Sequence, residues 1–315
     1  MTPKHFTETQ PMTLATIPVQ ILATRDEVDR YIEDCLYSLT QQNGLGETFR
    51  LVPIIATHQP VDAARMQALI ERFAGEHFQP QHMAIDRYCG YGEKQNLIWN
   101  SVTRLIPRDD RVFIALNPDT IVHHDCVLSL WEMYQANKAD AFVVEARQFP
   151  HENPYRHFNP DTYEISWCSG ACALYADALF EVGGGFDEHI FLYCEDVDLS
   201  WQAWQYDKKC YYCPWAYISH MTGGLFRGVY QTHKYPQHAY YMGLGHLILA
   251  KKYFGHDEAR FANLLGAFEQ DVQTSDVVKE RCLRDFRLME PELVVFNRPM
   301  KEIHMGGFGE FTGTV

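Results

Sequence analysis

Short apolar runs alternate with stretches of helical periodicity through the first half of the chain. Val19 to Ala23 reads as a first strand. Asp26 then opens a segment in which Val28, Tyr31, Ile32, Cys35, Leu36 and Leu39 recur at helical spacing, and Asn43-Gly44 supplies a stop. A second strand follows at Leu51 to Ala56, and a helix from Asp62 to Phe73 carries Met66, Leu69, Ile70 and Phe73 on one face. Met83 to Ile85 predicts a short strand that leads into the glycine-containing loop Tyr88 to Asn96. That loop feeds a helix through Leu97, Ile98, Ser101, Val102 and Leu105.

A fourth strand, Val112 to Leu116, runs directly into Asn117-Pro118-Asp119, where proline cannot continue a central ladder. The alternation predicts an α/β fold with a mostly parallel central sheet flanked by helices. In such sheets ligands bind beyond the carboxyl ends of the strands, so position alone makes Asp119 a candidate. A helix around Val127 to Tyr134 and a strand at Ala141 to Glu145 follow. The pattern then turns irregular and aromatic, with prolines at 150, 154 and 160, as expected of a loop over a site. Past His220 the apolar positions Phe261, Leu264, Leu265 and Phe268 predict helices packed on the core, before a glycine-rich end at Gly306 to Gly313.

Composition narrows the class. The 315 residues are 46% hydrophobic and 22% charged, enough for a substantial core. A net charge of −14 without basic runs argues against a nucleic-acid partner. No basic start followed by a sustained apolar segment is found, and the apolar run Tyr240 to Ala250 is too short to span a bilayer. Nine scattered cysteines, an odd number, fit reduced thiols in the cytoplasm. Cys210-x-x-Cys213 lacks the second pair that a zinc tetrahedron needs.

The densest chemistry lies between Gly183 and Leu199, where Asp187, Glu188, Glu195, Asp196 and Asp198 sit among large apolar side chains. A buried unpaired carboxylate costs several kcal/mol, so such a mixture points to a polar site. Asp198 is explained as well by a helix start, where carboxylates cap amides and favour the dipole.

With these residues in view, the chain resembles the inverting family 2 glycosyltransferases of GT-A fold, and among them the rhamnosyltransferase-like members. The pieces are Gly90-Tyr-Gly-Glu-Lys-Gln-Asn96, Asn117-Pro-Asp119, Trp167-Cys-Ser-Gly170-Ala-Cys, Gly184-Gly-Phe-Asp187-Glu188, Glu195-Asp-Val-Asp-Leu199, and Pro214 followed by His220. Each is weak alone, but they occur in the family's order between about Val19 and Gly255.

The resemblance implies residues 1–222 as a GT-A catalytic domain, with a nucleotide-sugar half over about 18–120 and an acceptor half over about 121–222, and a helical extension and tail at 223–315. It implies Asp196 as the base that takes the acceptor proton, with Glu195 as second candidate. Thr24, Asp86, Gly90, Lys94, Asn96, Asn117, Gly170 and Ala171 would line the donor, and Trp167, Asp187 and Glu188 the acceptor. Asp119 would hold a divalent Mg²⁺ or Mn²⁺ with His220, which reads equally as a histidine satisfied by backbone. The implied partners are a nucleotide diphosphate sugar, of dTDP or UDP type, and a glycan or lipid-linked acceptor. A cytoplasmic location follows, compatible with the inner face of the cell membrane.

Two departures stand out: Thr57 and His58 replace an aspartate that relatives use on the base, and Gln202 replaces an arginine after Asp198. A non-catalytic nucleotide-sugar or carbohydrate binding protein of the same fold is the alternative reading.

Overall fold

The computed structural model describes residues 14–107, 111–149, 158–221, 236–271 and 274–300. Pro150, Pro154 and the glycine-rich end lie outside them. Among the described residues nine strands form one sheet: β1 (Ala15–Ala23), β2 (Phe49–Thr57), β3 (Gln81–Ala84), β4 (Val112–Leu116), β5 (Thr120–Val122), β6 (Ala141–Phe149), β7 (Glu164–Ile165), β8 (Cys172–Ala176) and β9 (Lys209–His220). The spatial order is β3-β2-β1-β4-β8-β6-β9-β5, with β7 on β9. The first four strands are parallel, as the alternating pattern predicts. Beyond β4 the chain enters β8 antiparallel, β6 and β9 run parallel to each other, and β5 and β7 run against β9.

The helices are α1 (Arg25–Arg30), α2 (Ile32–Thr40), α3 (Ala63–Phe73), α4 (Tyr91–Val102), α5 (Cys126–Ala136), α6 (Ala178–Gly183), α7 (Glu195–Gln205), α8 (Pro236–Phe254), α9 (Glu258–Gln270) and α10 (Asp276–Met289). The single helix predicted from Asp26 is bent at Tyr31, although hydrogen bonds from Tyr31 N to Glu27 O and from Cys35 N to Tyr31 O carry the ladder through the bend. The predicted glycine loop is shorter than expected. Helix α4 begins at Tyr91, so Gly92 to Asn96 are helical.

Each face of the sheet is covered by its own apolar layer. One joins α1, α2, α3 and α5 to the sheet through residues such as Val28, Leu36, Met66 and Leu130. The other joins α4, α6 and α7 through Ile98, Trp99, Leu179 and Leu199. A third cluster binds the C-terminal helices to the molecule: Trp167, Ile190, Cys194, Val197 and Trp201 pack with Tyr240, Leu244, Ile248 and Tyr253.

That third contact is electrostatic as well as apolar. Lys252 Nζ of α8 lies 2.6 Å from both Asp187 Oδ2 and Asp198 Oδ1, and the Tyr253 hydroxyl donates to Asp198. Burial opposes the charge on all three. Lys252 nevertheless holds Asp187 below the usual carboxylate range, and the two acids raise the lysine. For Asp198 burial outweighs the lysine and its carboxyl is pushed up. The positive charge that Gln202 lacks thus arrives from a distant helix, while Gln202 Nε2 donates to Asp198 at 2.7 Å.

All nine cysteines are buried, and none is joined to another in a disulfide. Burial lifts Cys35 to about 12 and Cys213 to about 11, far from thiolate reactivity. Among the described residues no helix is long and apolar enough to cross a membrane.

Candidate active site

The end of β4 and the end of β9 are brought together by β5. Thr120 opposes His220 in the β5–β9 ladder, so Asp119, one residue earlier, falls beside the histidine. Asp119 Oδ1 and His220 Nε2 are 3.4 Å apart, and Asn117 Nδ2 is 3.3 Å from the same nitrogen. On the other side of the ring, His220 Nδ1 is 3.0 Å from Gln148 Oε1. The Gln148 amide nitrogen donates to Ser169 Oγ at 3.0 Å, which leaves its oxygen for the imidazole. Nδ1 therefore carries the proton, and Nε2 turns a lone pair toward the carboxylate.

That arrangement suits a divalent ion. The Asn117 amide can donate to Nε2 at 3.3 Å, and a cation between Nε2 and the Asp119 carboxylate would be held by both. Neighbouring ligands of an octahedral Mg²⁺ or Mn²⁺ stand about 3 Å apart. One carboxylate and one imidazole are a sparse set, and no group of three His, Cys, Asp or Glu gathers among the described residues. Such an ion would take its remaining oxygens from solvent and a ligand.

The carboxylate pair sits at the start of α7. Tyr193 and Cys194 both adopt left-handed backbone, with φ of 65° and 69°, a combination that costs non-glycine residues energy. The turn is held from α8, where a Cβ on Gly245 would come within 2.9 Å of Cys194 Sγ, so glycine is required. Asp196 accepts from Gly170 N at 3.1 Å and from Val197 N at 2.9 Å, which fixes both oxygens. Glu195 Oε2 is buried and makes no hydrogen bond among the described residues. Burial first, and the charge of Asp196 second, push Glu195 up to about 8. Glu195 therefore keeps its proton near neutrality.

The residues Ser169, Gly170 and Ala171 tie the two halves together. Ser169 meets Gln148, which positions His220. Gly170 donates to Asp196. Ala171 O accepts from Asn117 N at 2.9 Å. Asp196, Gly170, Ala171, Asn117, Asp119 and His220 thus form one connected site at the sheet's carboxyl edge.

Other predicted residues have different surroundings. Asn96 is buried and clasps the backbone of Phe186, donating to its carbonyl and accepting from its N–H, both at 2.9 Å; no amide face remains for a donor. Gly90 is also structural: a Cβ there would come within 2.8 Å of Phe191 O. The Thr24 side chain is engaged in a capping box with Glu27. Asp86 is exposed, and Lys94 is half-buried beside His58; burial lowers both Lys94 and His58.

Two of the three acceptor expectations, Trp167 and Asp187, meet contrary surroundings. Trp167 is only 6% exposed and packs in the third cluster, so its face is unavailable to a sugar. Asp187 is committed to Lys252 and His189. Glu188 is exposed, with Oε1 3.4 Å from Asn96 Nδ2. The sequence reading passed over Gln148 and Lys252. Gln148 is buried between exposed Arg147 and Phe149 at the end of β6, and neither it nor Lys252 has a clear signal in the sequence.

No family model matches the chain. It is 27% identical over 155 residues to rhamnosyltransferase WbbL of Escherichia coli (strain K12), covering 40% of this chain and 58% of that protein. A second match, 36% identical over 73 residues, joins 22% of this chain to 24% of the N-acetylglucosaminyl-diphospho-decaprenol L-rhamnosyltransferase of Mycobacterium tuberculosis. The chain thus spans less than two thirds of either relative. Among solved structures, GalNAc-T7 with UDP, GalNAc and Mn²⁺ aligns with a TM-score of 0.61 at 12% identity, over 95% of this chain and 57% of that one. The fold is that of the GT-A glycosyltransferases, and the relatives in sequence are rhamnosyltransferases.

Proposed function

We propose that the protein is an inverting glycosyltransferase that moves a sugar from a nucleotide diphosphate donor to an acceptor hydroxyl. The observation that carries this reading is the connected site in which Gly170 and Ala171 link the Asp196 carboxylate to Asn117 and, through it, to the Asp119–His220 pair. A donor lying along Gly170 and Ala171 spans a base at one end and a cation-binding pair at the other.

Asp196 is the base. The acceptor oxygen attacks the anomeric carbon from the face opposite the diphosphate, its proton passes to an Asp196 oxygen, and the bond from that carbon to the diphosphate oxygen breaks. The two backbone donors on Asp196 hold the carboxylate still for that transfer. Glu195, which keeps its proton near neutrality, leaves a single negative charge at the point of attack. Asp119 and His220 would hold Mg²⁺ or Mn²⁺, which neutralises charge growing on the departing diphosphate. Ser169 and Gln148 keep His220 in the tautomer that binds a metal.

The rhamnosyltransferase relatives support a deoxyhexose donor; the donor is then dTDP-rhamnose, with UDP-sugars next, and the acceptor a glycan or lipid-linked precursor in a cytoplasmic route to cell-surface polysaccharide. Incubation with dTDP-rhamnose and a panel of UDP- and GDP-sugars, with and without Mn²⁺, tests the reading through release of the nucleoside diphosphate. Binding of a nucleotide sugar with no turnover on any donor would favour the non-catalytic alternative.

A further inference from the structure

Three segments far apart in sequence bring aromatic rings to one surface beside the turn that introduces α7. Tyr88, in the loop before α4, is 74% exposed, yet its ring lies 4.9 Å from Phe191. Phe191 in turn stacks on Tyr241 of α8 at 4.9 Å and 17°. The hydroxyls of Tyr88 and Tyr241 come within 3.4 Å of each other, and Tyr193 contacts the ring of His238 at 4.6 Å. Core packing does not account for Tyr88, whose ring faces solvent. Phe191, Tyr193 and Tyr241 are half-buried, so the cluster offers solvent one exposed ring, Tyr88, set on a packed aromatic base.

The cluster's place in the fold says what that ring serves. Tyr91 N donates to Phe191 O at 2.7 Å, so the platform starts at the backbone junction that carries Tyr91 inward. The Tyr91 hydroxyl then lies about 4.0 Å from the position a Gly170 Cβ would take, with Asp196 Oδ2 3.9 Å from the same point. From the other direction, Tyr193 is separated from Glu195 by Cys194 alone. Both routes lead from the rings to the carboxylate pair.

The chemistry narrows the occupant. Tyr88, Phe191, Tyr193 and Tyr241 are aromatic, and three of the four have a hydroxyl at the ring edge. A pyranose is matched to this, with an apolar face of C–H groups to lie on the rings and a rim of hydroxyls to meet the phenols. We infer that Tyr88, Phe191 and Tyr241 form the subsite for a pyranose ring of the acceptor saccharide, the role that buried Trp167 cannot fill. The inference rests on the transferase reading, and its test separates the two.

The protein is titrated with methyl glycosides of glucose, N-acetylglucosamine and rhamnose, observed by saturation-transfer NMR, and separately with dTDP and UDP in the presence of Mn²⁺. The expected result is saturation of the C–H protons on one sugar face, affinity weakened about 3- to 10-fold by Tyr88→Ala and restored by Tyr88→Trp, with nucleotide affinity unchanged. Sugar binding that is absent in the wild type, or equal in Tyr88→Ala, overturns the subsite. So does binding to phosphatidylcholine–phosphatidylglycerol vesicles that Tyr88→Ala abolishes, because the rings would then face a membrane. Failure of the wild type to bind either nucleotide would count against the transferase reading instead.

Discussion

Lys252 Nζ and Asp198 Oδ1 meet at 2.6 Å, with both residues at most 2% exposed. The same ammonium reaches Asp187, so one cation from α8 answers two acids that lie on either side of the Glu195–Asp196 turn. The C-terminal helices therefore belong to the structure that holds the Glu195–Asp196 turn. Removing one partner of a buried ion pair costs about 3–5 kcal/mol, because the remaining charge is left unanswered. Lys252→Met is expected to lose that much in urea denaturation, and pairing it with Asp198→Asn to recover part of the loss. A single variant as stable as the wild type would contradict the pairing.

Glu195 gives stability a dependence on pH. With the folded carboxyl raised to about 8 from an ordinary 4.5, the folded chain retains a proton that the unfolded chain has released across that interval. The unfolded state binds fewer protons there, so this group's contribution to stability declines as pH rises from the ordinary value to the raised one, and is undiminished below it. Glu195→Gln should flatten the decline and melt above the wild type at the alkaline end. Thermal melts of both proteins between about pH 5 and 9 read this directly. Identical slopes would mean that Glu195 is ionised in the folded protein.

Asp196→Asn retains the shape of the carboxylate and removes its basicity. Transfer is expected to fall by about 10²–10⁴-fold, while the dissociation constant for the nucleotide diphosphate stays within a factor of about two. Near-normal turnover would move the base elsewhere.

Gln148 touches neither ligand nor acid, and acts by holding the imidazole. Gln148→Leu should weaken Mn²⁺-dependent nucleotide binding by about 10- to 100-fold, and Asp119→Ala by at least as much, with metal-free binding unaltered in both. Isothermal titration with and without Mn²⁺ distinguishes this from a general loss of folding.

The parallel half of the sheet was legible because strands buried on both faces and amphipathic helices leave different periods in the sequence. Asp119 stood out by its place after β4, and Asp196 by the family resemblance within an acidic cluster; the structure brings both to one edge of the sheet. What escaped was partner choice. Nothing local to Asp198 indicates that its cation lies in α8, and the composition around Asn96 does not distinguish an amide that grips Phe186 from one that awaits a ligand. Trp167 misled for the same reason, since an aromatic beside a small-residue turn has one appearance in sequence and two possible environments. The helix α8 that decides two of these cases follows residues whose motifs had already ended.

The pairing of Thr120 with His220 also bears on how the chain folds. Strand β5 is short and lies at the sheet's edge, and its partner is synthesised only after most of the sheet. Contacts of such sequence separation close late, after the local helices and the β1–β2 unit have formed. In refolding, the return of helical circular dichroism should therefore precede the return of Mn²⁺-dependent nucleotide binding, so that ligand uptake counts only molecules whose last strand has docked.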